Sequence, residues 1–439
     1  MGLTRRQFLL GGLGAGAAGA AGLVVARAPW ETSRRPAADG PAGGPAADGT
    51  GGGPVPGGAS GKDGILVLLT LYGGNDGLNT VIPYQQGAYL GGRPTLGYQP
   101  EEVIPLDGEL ALHPNLAGLK SLWDEKRLAI VRGVGYPNPN RSHFRSMDIW
   151  QSGVPDAGVA TGWVGRWLDV TGTDPMRAVS VGSTLPRLFG GEKAAGVAVP
   201  VGTLTVPGGA RVESGLATMA TGASAGSGGP LAARAAQVTG DLLAVDGAIS
   251  DLLASVPENA DSTASSAGGL EADMGMNGVY GGGALDGQLA LVARLVKAGS
   301  PTRVYGVNLN GFDTHVNEKN THATLMTQLD KGVSGFFADL GDHPNARRVV
   351  LVAYSEFGRR VAANASGGTD HGTAAPVLVA GPAVRGGFYG DEPSLADLDQ
   401  GDLRFTTDFR GIYATLLEQV VGVESTAALG KPFTPVPFL

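Results

Sequence analysis

Eight residues, Ile65-Leu66-Val67-Leu68-Leu69-Thr70-Leu71-Tyr72, form an apolar run interrupted only by Thr70 and ended by Gly73-Gly74. The length suits a strand, and the lack of alternation leaves neither face for water. A strand buried on both faces belongs in a parallel sheet covered by helices. Similar short runs recur at Leu128 to Val131, Val304 to Leu309, Val349 to Ala353 and Val377 to Val379. Helical spacing separates them: Leu116, Leu119, Leu122 and Trp123 make one stripe, and Met326, Leu329, Val333, Phe336, Phe337 and Leu340 another. Asp408 to Val421 reads as an amphipathic helix. Strand and helix in alternation predict an α/β fold. A chain of 439 residues can elaborate one large sheet, so residues 62–439 are expected to form a single domain. Between about 183 and 300 the pattern fades into stretches such as "ATGASAGSGGP" and "ENADSTASSAGG", which predicts an inserted helical cap.

The first 61 residues belong to no core. Thr4-Arg5-Arg6-Gln7-Phe8-Leu9-Leu10 leads into a mildly apolar Ala/Gly run, the pattern of a twin-arginine export signal over residues 1–28. So much Gly and Ala makes a poor membrane span, which takes about 20 strongly apolar residues. The expected partner is the twin-arginine translocation machinery, and the expected location is outside the cytoplasm. Residues 29–61, rich in Pro, Gly and Ala, read as a disordered linker. The formal net charge of −8 and the lack of a long basic stripe exclude nucleic acid as the main partner. With no cysteine, disulfides and thiolate sites are excluded too, and any metal must be held by nitrogen and oxygen.

In an open α/β sheet, ligands bind beyond the carboxyl ends of the strands. Five polar clusters fall beside the apolar runs. "GGNDG" carries Asn75 and Asp76; "NRSHFR" carries Arg141, Ser142 and His143; "GFDTHVNE" carries Asp313 and His315; "SEFGRR" carries Glu356 and Arg359; "GTDHG" carries Asp370 and His371. Singly, each has an ordinary explanation. Asp76 suits a turn, Ser142 a helix N-cap, and Glu356 with Arg359 and Arg360 a solvated ion pair. His113 and His343, each before a proline, read as loop histidines, and His322 as a structural one. Together, carboxylates and imidazoles at several strand ends suit Zn, Mg, Mn or Ca. Two such ions about 4 Å apart would polarise an ester oxygen, and a serine at a helix N-terminus adds donors for an anion. That chemistry is phosphoryl or sulfuryl transfer.

Two other motifs carry nothing. Gly14-Ala15-Gly16-Ala17-Ala18-Gly19 has no strand before it, so it is not a dinucleotide fingerprint. Gly222-Ala223-Ser224-Ala225-Gly226 has no strand feeding it, so Ser224 is not expected to be a nucleophile.

"LYGGNDGLNTVIP", "NRSHFRSMDIWQSG", "GFDTHVNE", "SEFGRR" and "GTDHGTAAPVLVAG", behind a twin-arginine signal, resemble the DUF1501 family of exported bacterial proteins. The family is grouped with the alkaline phosphatase and sulfatase superfamily, so the resemblance implies an alkaline phosphatase-like fold, a parallel sheet between helices with a bimetal site at its carboxyl edge. It further implies that Asp76, Asp313, His315, Glu356 and His371 bind metal and that Ser142 is the nucleophile. Asn75, Arg141, His143, Arg359 and Asp370 would support the site or hold substrate. Phe357 stands where the superfamily has a second-metal histidine, and Asp313 and His315 are closer in sequence than its usual pair. Two functions follow: an exported metal-dependent hydrolase of phosphate or sulfate esters, or a non-catalytic protein of the same fold that binds a cell-envelope polysaccharide.

Overall fold

Residues Ile65–Tyr72 (β1) form a strand whose eight side chains are all buried, divided between two cores. Ile65, Val67, Leu69 and Leu71 join one hydrophobic cluster; Leu66, Leu68 and Tyr72 join the other. The two-residue period of the strand sends alternate side chains to opposite faces, which is why an apolar run without alternation was needed there. The computed structural model describes residues 62–155, 158–202, 210–222, 229–256 and 283–439. The twin-arginine segment, the linker and Ser224 lie outside the described residues.

Eight further strands complete a mixed sheet: Leu128–Gly135 (β2), Ala178–Val181 (β3), Val197–Val199 (β4), Val304–Asn310 (β5), Val349–Tyr354 (β6), Ala375–Ala380 (β7), Gly387–Tyr389 (β8) and Thr407–Asp408 (β9). The order across the sheet is β8-β2-β7-β6-β1-β5-β3-β4, with β9 also paired to β2. All pairings are parallel except those of β7, which runs antiparallel to both β2 and β6. The expected mostly parallel sheet is therefore present, and its one reversed strand matters for the site. The start of β7 lies at the same edge as the ends of β1, β2, β5 and β6.

Helices cover both faces, as burial on both sides requires. Leu285–Lys297, Glu318–Leu340 and Ala117–Asp124 pack on one. The other carries His143–Ser152 (α1), Trp163–Thr171 and Phe409–Thr415. The 183–300 stretch, expected as a cap, contributes β4 to the sheet, and Val245 and Ile249 of the helix Gly229–Ser255 enter the first core. The helix Ala210–Gly222 packs against the helix Gly229–Ser255. No helix of the described residues is long and apolar enough to cross a membrane.

Candidate metal centre

The loops that leave β1, β2, β5 and β6, and the one that enters β7, meet at this edge. Their close approach depends on Gly73 and Gly74, with φ of 118° and 77°, a region that side chains disfavour. A Cβ on Gly73 would come within 2.4 Å of the Asp313 nitrogen, and one on Gly74 within 2.5 Å of the Phe357 ring.

Three imidazoles converge on one oxygen of Asp313. His315 Nε2 lies 3.0 Å from Asp313 Oδ1, His371 Nε2 3.1 Å and His143 Nε2 3.4 Å. The rings also meet one another: His371 Nε2 is 3.0 Å from His143 Nε2 and 3.0 Å from His315 Nε2. Each of these histidines has a carboxylate or carbonyl at its other nitrogen. His143 Nδ1 is 2.8 Å from Glu356 Oε1, His371 Nδ1 is 2.8 Å from the Arg141 carbonyl, and His315 Nδ1 is 3.6 Å from Asp370 Oδ1. A carbonyl or carboxylate oxygen only accepts, so the Nδ1 atoms of His143 and His371 donate. In the neutral rings that leaves both Nε2 atoms as bare lone pairs aimed at the same place. Such a cluster needs a cation.

The cation can be a proton. Burial would lower His143, but Asp313 and Glu356 overcome it and raise this imidazole to about 9. Burial likewise works to raise Asp313, and hydrogen bonds from His143, His371 and Arg359 outweigh it, holding the carboxyl far below the usual range. The cation can equally be a metal ion. A tetrahedral ion with bonds of about 2.0–2.1 Å sets its ligands about 3.3 Å apart, close to the 3.0–3.4 Å separations among His143, Asp313 and His371. Among the described residues, His143, Asp313 and His371 offer ligand atoms within 4.8 Å of one another. The side chains of Asp313 and His315 are 42% exposed, so a ligand can reach the cluster from solvent.

Glu356, expected as a metal ligand, faces away from the cluster's centre. Its carboxylate is buried; Oε1 accepts from the Gly73 amide at 3.0 Å and from His143, while Oε2 accepts from the Ser355 hydroxyl at 2.9 Å. It orients His143. Phe357 packs its ring under His143 and His371, 4.9 and 5.0 Å between centroids, as a floor to the site.

Asp76, also expected as a ligand, stands apart. It is completely buried and makes a two-pronged ion pair with Arg93, NH2 to Oδ1 at 2.9 Å and NH1 to Oδ2. Burial alone would raise Asp76, but the guanidinium holds it at about 2. A carboxylate so paired has little left for an ion, and the Asp76 and Arg93 placements explain each other. Asn75 belongs to the same buried region; its Oδ1 is 3.0 Å from His322 Nε2 and its Nδ2 donates to Thr80. His113, read as a loop histidine, is fully buried beside Tyr98, whose hydroxyl is 2.8 Å from its Nε2.

The arginines are likewise engaged with protein groups. Arg359 is buried and donates to the carbonyls of Gly73, Gly74, Phe312 and Thr369 and to Asp313 Oδ1 at 2.7 Å. It ties three strand-end loops together and aims Asp313; it has no face for substrate. Arg141 pairs with the buried Asp402 while its carbonyl positions His371. Ser142 occupies the N-cap position of α1, exposed, yet its side chain makes no capping hydrogen bond. Both of its chain neighbours touch the cluster.

His143 is the residue whose part the sequence concealed. The sequence places it only among the residues that would support the site or hold substrate, and convergence reveals it as a third imidazole of the cluster. Its one sequence signal was its place: at the start of a helix, after a strand end, in a chain with six histidines. Arg93 and Asp402 gave no signal, since neither lies in a strand-end motif.

The model of a family described as "Protein of unknown function (DUF1501)" matches residues 133–426. Among solved structures, one of a protein in the alkaline phosphatase superfamily from Vibrio parahaemolyticus is similar at 13% identity, over 84% of this chain and 71% of that one, with a TM-score of 0.36. A 2-O GAG sulfatase is similar at 12% identity, over 74% of this chain and 65% of that one, with a TM-score of 0.31. Both are loose likenesses. No curated protein matches.

Proposed function

Because the chain belongs to the DUF1501 family, whose description names no reaction, we propose a function from the site: an exported hydrolase of phosphate or sulfate esters that depends on one metal ion. The observation that carries this reading is the meeting of the Nε2 atoms of His143, His315 and His371 on Asp313 Oδ1. Two imidazoles and one carboxylate oxygen within reach of a single ion, His143, His371 and Asp313, favour a zinc-like ion over Mg or Ca, which prefer all-oxygen sites. When bound, the ion would supply positive charge that stabilises the oxygens of an anionic ester.

The chain's own groups divide the remaining work. Glu356 and the Arg141 carbonyl fix the tautomers of His143 and His371, so both present Nε2 to the cluster. Arg359 holds Asp313 from behind. Ser142, exposed at the N-terminus of α1 and free of a capping role, is the nucleophile, and the helix end favours the anion it attacks. Export rests on the Arg5-Arg6 segment.

Metal analysis of the purified chain, joined to an aryl phosphate and aryl sulfate screen, tests the reading. About one equivalent of metal is expected, lost in His371→Ala, and turnover is lost with metal retained in Ser142→Ala. A metal-free yet active protein would overturn it. One observation favours a second reading, a binding protein without turnover: Asp76, which the resemblance makes the first metal-binding aspartate, is committed to Arg93, so an oxygen ligand that the resemblance implies is spent elsewhere. Metal binding without any turnover, indifferent to Ser142→Ala, would select that reading.

A further inference from the structure

Directly beside the cluster lies a cavity of about 260 Å³. Its buried wall is Tyr136, Trp150, Phe357 and Leu403, with the half-buried Phe405. Pro139 and Arg404 stand exposed among its lining. Phe357 is shared: the ring that helps line this cavity also underlies His143 and His371. The hairpin that closes the cavity, Leu398–Asp399 with Asp402–Leu403, is fastened to the site by Asp402, which holds Arg141.

Most buried polar groups in this wall are already spent; the Trp150 indole N–H is the one without a partner, and Asn138, Asp399 and Arg404 lie exposed among the lining. The Tyr136 hydroxyl lies 2.8 Å from Ser146 Oγ and accepts from the Asn140 amide at 3.1 Å. The Thr373 hydroxyl donates to the Leu403 carbonyl, and both Glu356 oxygens have donors. A ring dressed with several hydroxyls would leave most of them unpaired against the buried wall, at a cost for each, whereas a flat apolar ring needs only contact. Wholly apolar cavities of about 150 Å³ take up benzene, and the rings of Tyr136, Trp150, Phe357 and Phe405 offer that kind of surface on part of this wall. Phe144 and Val316, each next to a cluster histidine in the chain, are 65% and 61% exposed, the highest values among the large hydrophobics of the described residues.

We infer that this cavity is a binding site for an aromatic ring, carried by the anionic compound whose charged end meets the histidine cluster. The inference rests on the anion-binding reading of that cluster and adds the class of the uncharged part.

The test is calorimetric binding of phenylphosphonate, methylphosphonate and benzyl alcohol to the purified, metal-loaded chain. None of the three is an ester, so leaving-group reactivity does not enter. Phenylphosphonate is expected to bind about 10–100-fold more tightly than methylphosphonate, the return on burying one ring. Phe405→Ala and the cavity-filling Pro139→Trp should each erase that advantage while leaving methylphosphonate affinity unchanged. If methylphosphonate binds and the phenyl group adds nothing, or the advantage survives both variants, the ring site is overturned and the anion reading stands. If methylphosphonate fails to bind while phenylphosphonate and benzyl alcohol bind alike and both weaken in the variants, the ring site stands and the anion reading falls. No binding by any probe overturns both.

Discussion

Two groups of imidazoles and carboxylates lie near the same sheet edge, and their protonation is pushed in opposite directions. In the open cluster His143 is raised to about 9, against burial, by Asp313 and Glu356. In the closed one, burial lowers His322 to about 4 and His113 to about 3. There Asp76 is neutralised by Arg93, and burial with the nearby Asp76 pushes Glu318 well above the usual carboxylate range. The closed group thus settles its charges internally, with one guanidinium, one carboxylate and otherwise neutral groups. The open group has more lone pairs than donors. That surplus makes it the candidate for a cation, and both groups contain the same kinds of residue.

The largest effect should come from unbalancing the closed group. Arg93→Met leaves Asp76 buried without its partner and is expected to cost about 3–5 kcal/mol in urea denaturation, with metal content of the folded protein unchanged. A loss below about 1 kcal/mol would mean that the pair is not what holds this region. Next is Glu356→Gln in the open group. It should weaken metal affinity about 10–100-fold in a chelator competition, and an unchanged affinity would separate His143 from the site.

Acidity tests both signs at once. The unfolded chain takes up protons on His113 and His322 below about 6.5, and the native state resists until about 3 and 4; their contribution is present above 6.5 and lost as pH falls through that window. Glu318 acts the other way, because the native state keeps a proton that the unfolded chain releases above about 4.5. Between 4.5 and 6.5 the two imidazoles outweigh this one carboxyl, and above 6.5 the carboxyl acts together with His143 of the open group, whose proton the native state keeps until about 9. These groups therefore place a stability maximum near pH 6.5, with a slope of about 1.4 kcal/mol per pH unit on the acid side and about twice that on the alkaline side. Glu318→Gln should remove about 1.4 kcal/mol per pH unit from the alkaline slope and leave the part due to His143, as read by urea midpoints across pH; an alkaline slope equal to that of the wild type would show that Glu318 is ionised. The smallest effect is expected of Asp370→Asn. Its carboxylate is 59% exposed and 3.6 Å from His315, so metal affinity should change by no more than about fivefold.

The sequence by itself determined the layers and the edge. Apolar runs of strand length, helical stripes between them and polar motifs beside the strands already specify a sheet buried on both faces with its chemistry at the strand ends. That much is legible because burial is written in residue type and period. Only the tertiary structure decided which polar groups meet. Asp76 pairs with Arg93 from a segment without a strand-end motif, Glu356 turns to His143, and Arg359 spends its donors on backbone carbonyls. The reversal of β7 brings His371 from before a strand to join residues that follow one. A difference of a few ångströms decides whether a carboxylate binds a guanidinium, an imidazole or an ion, and such distances arise from the packing of loops far apart in the chain.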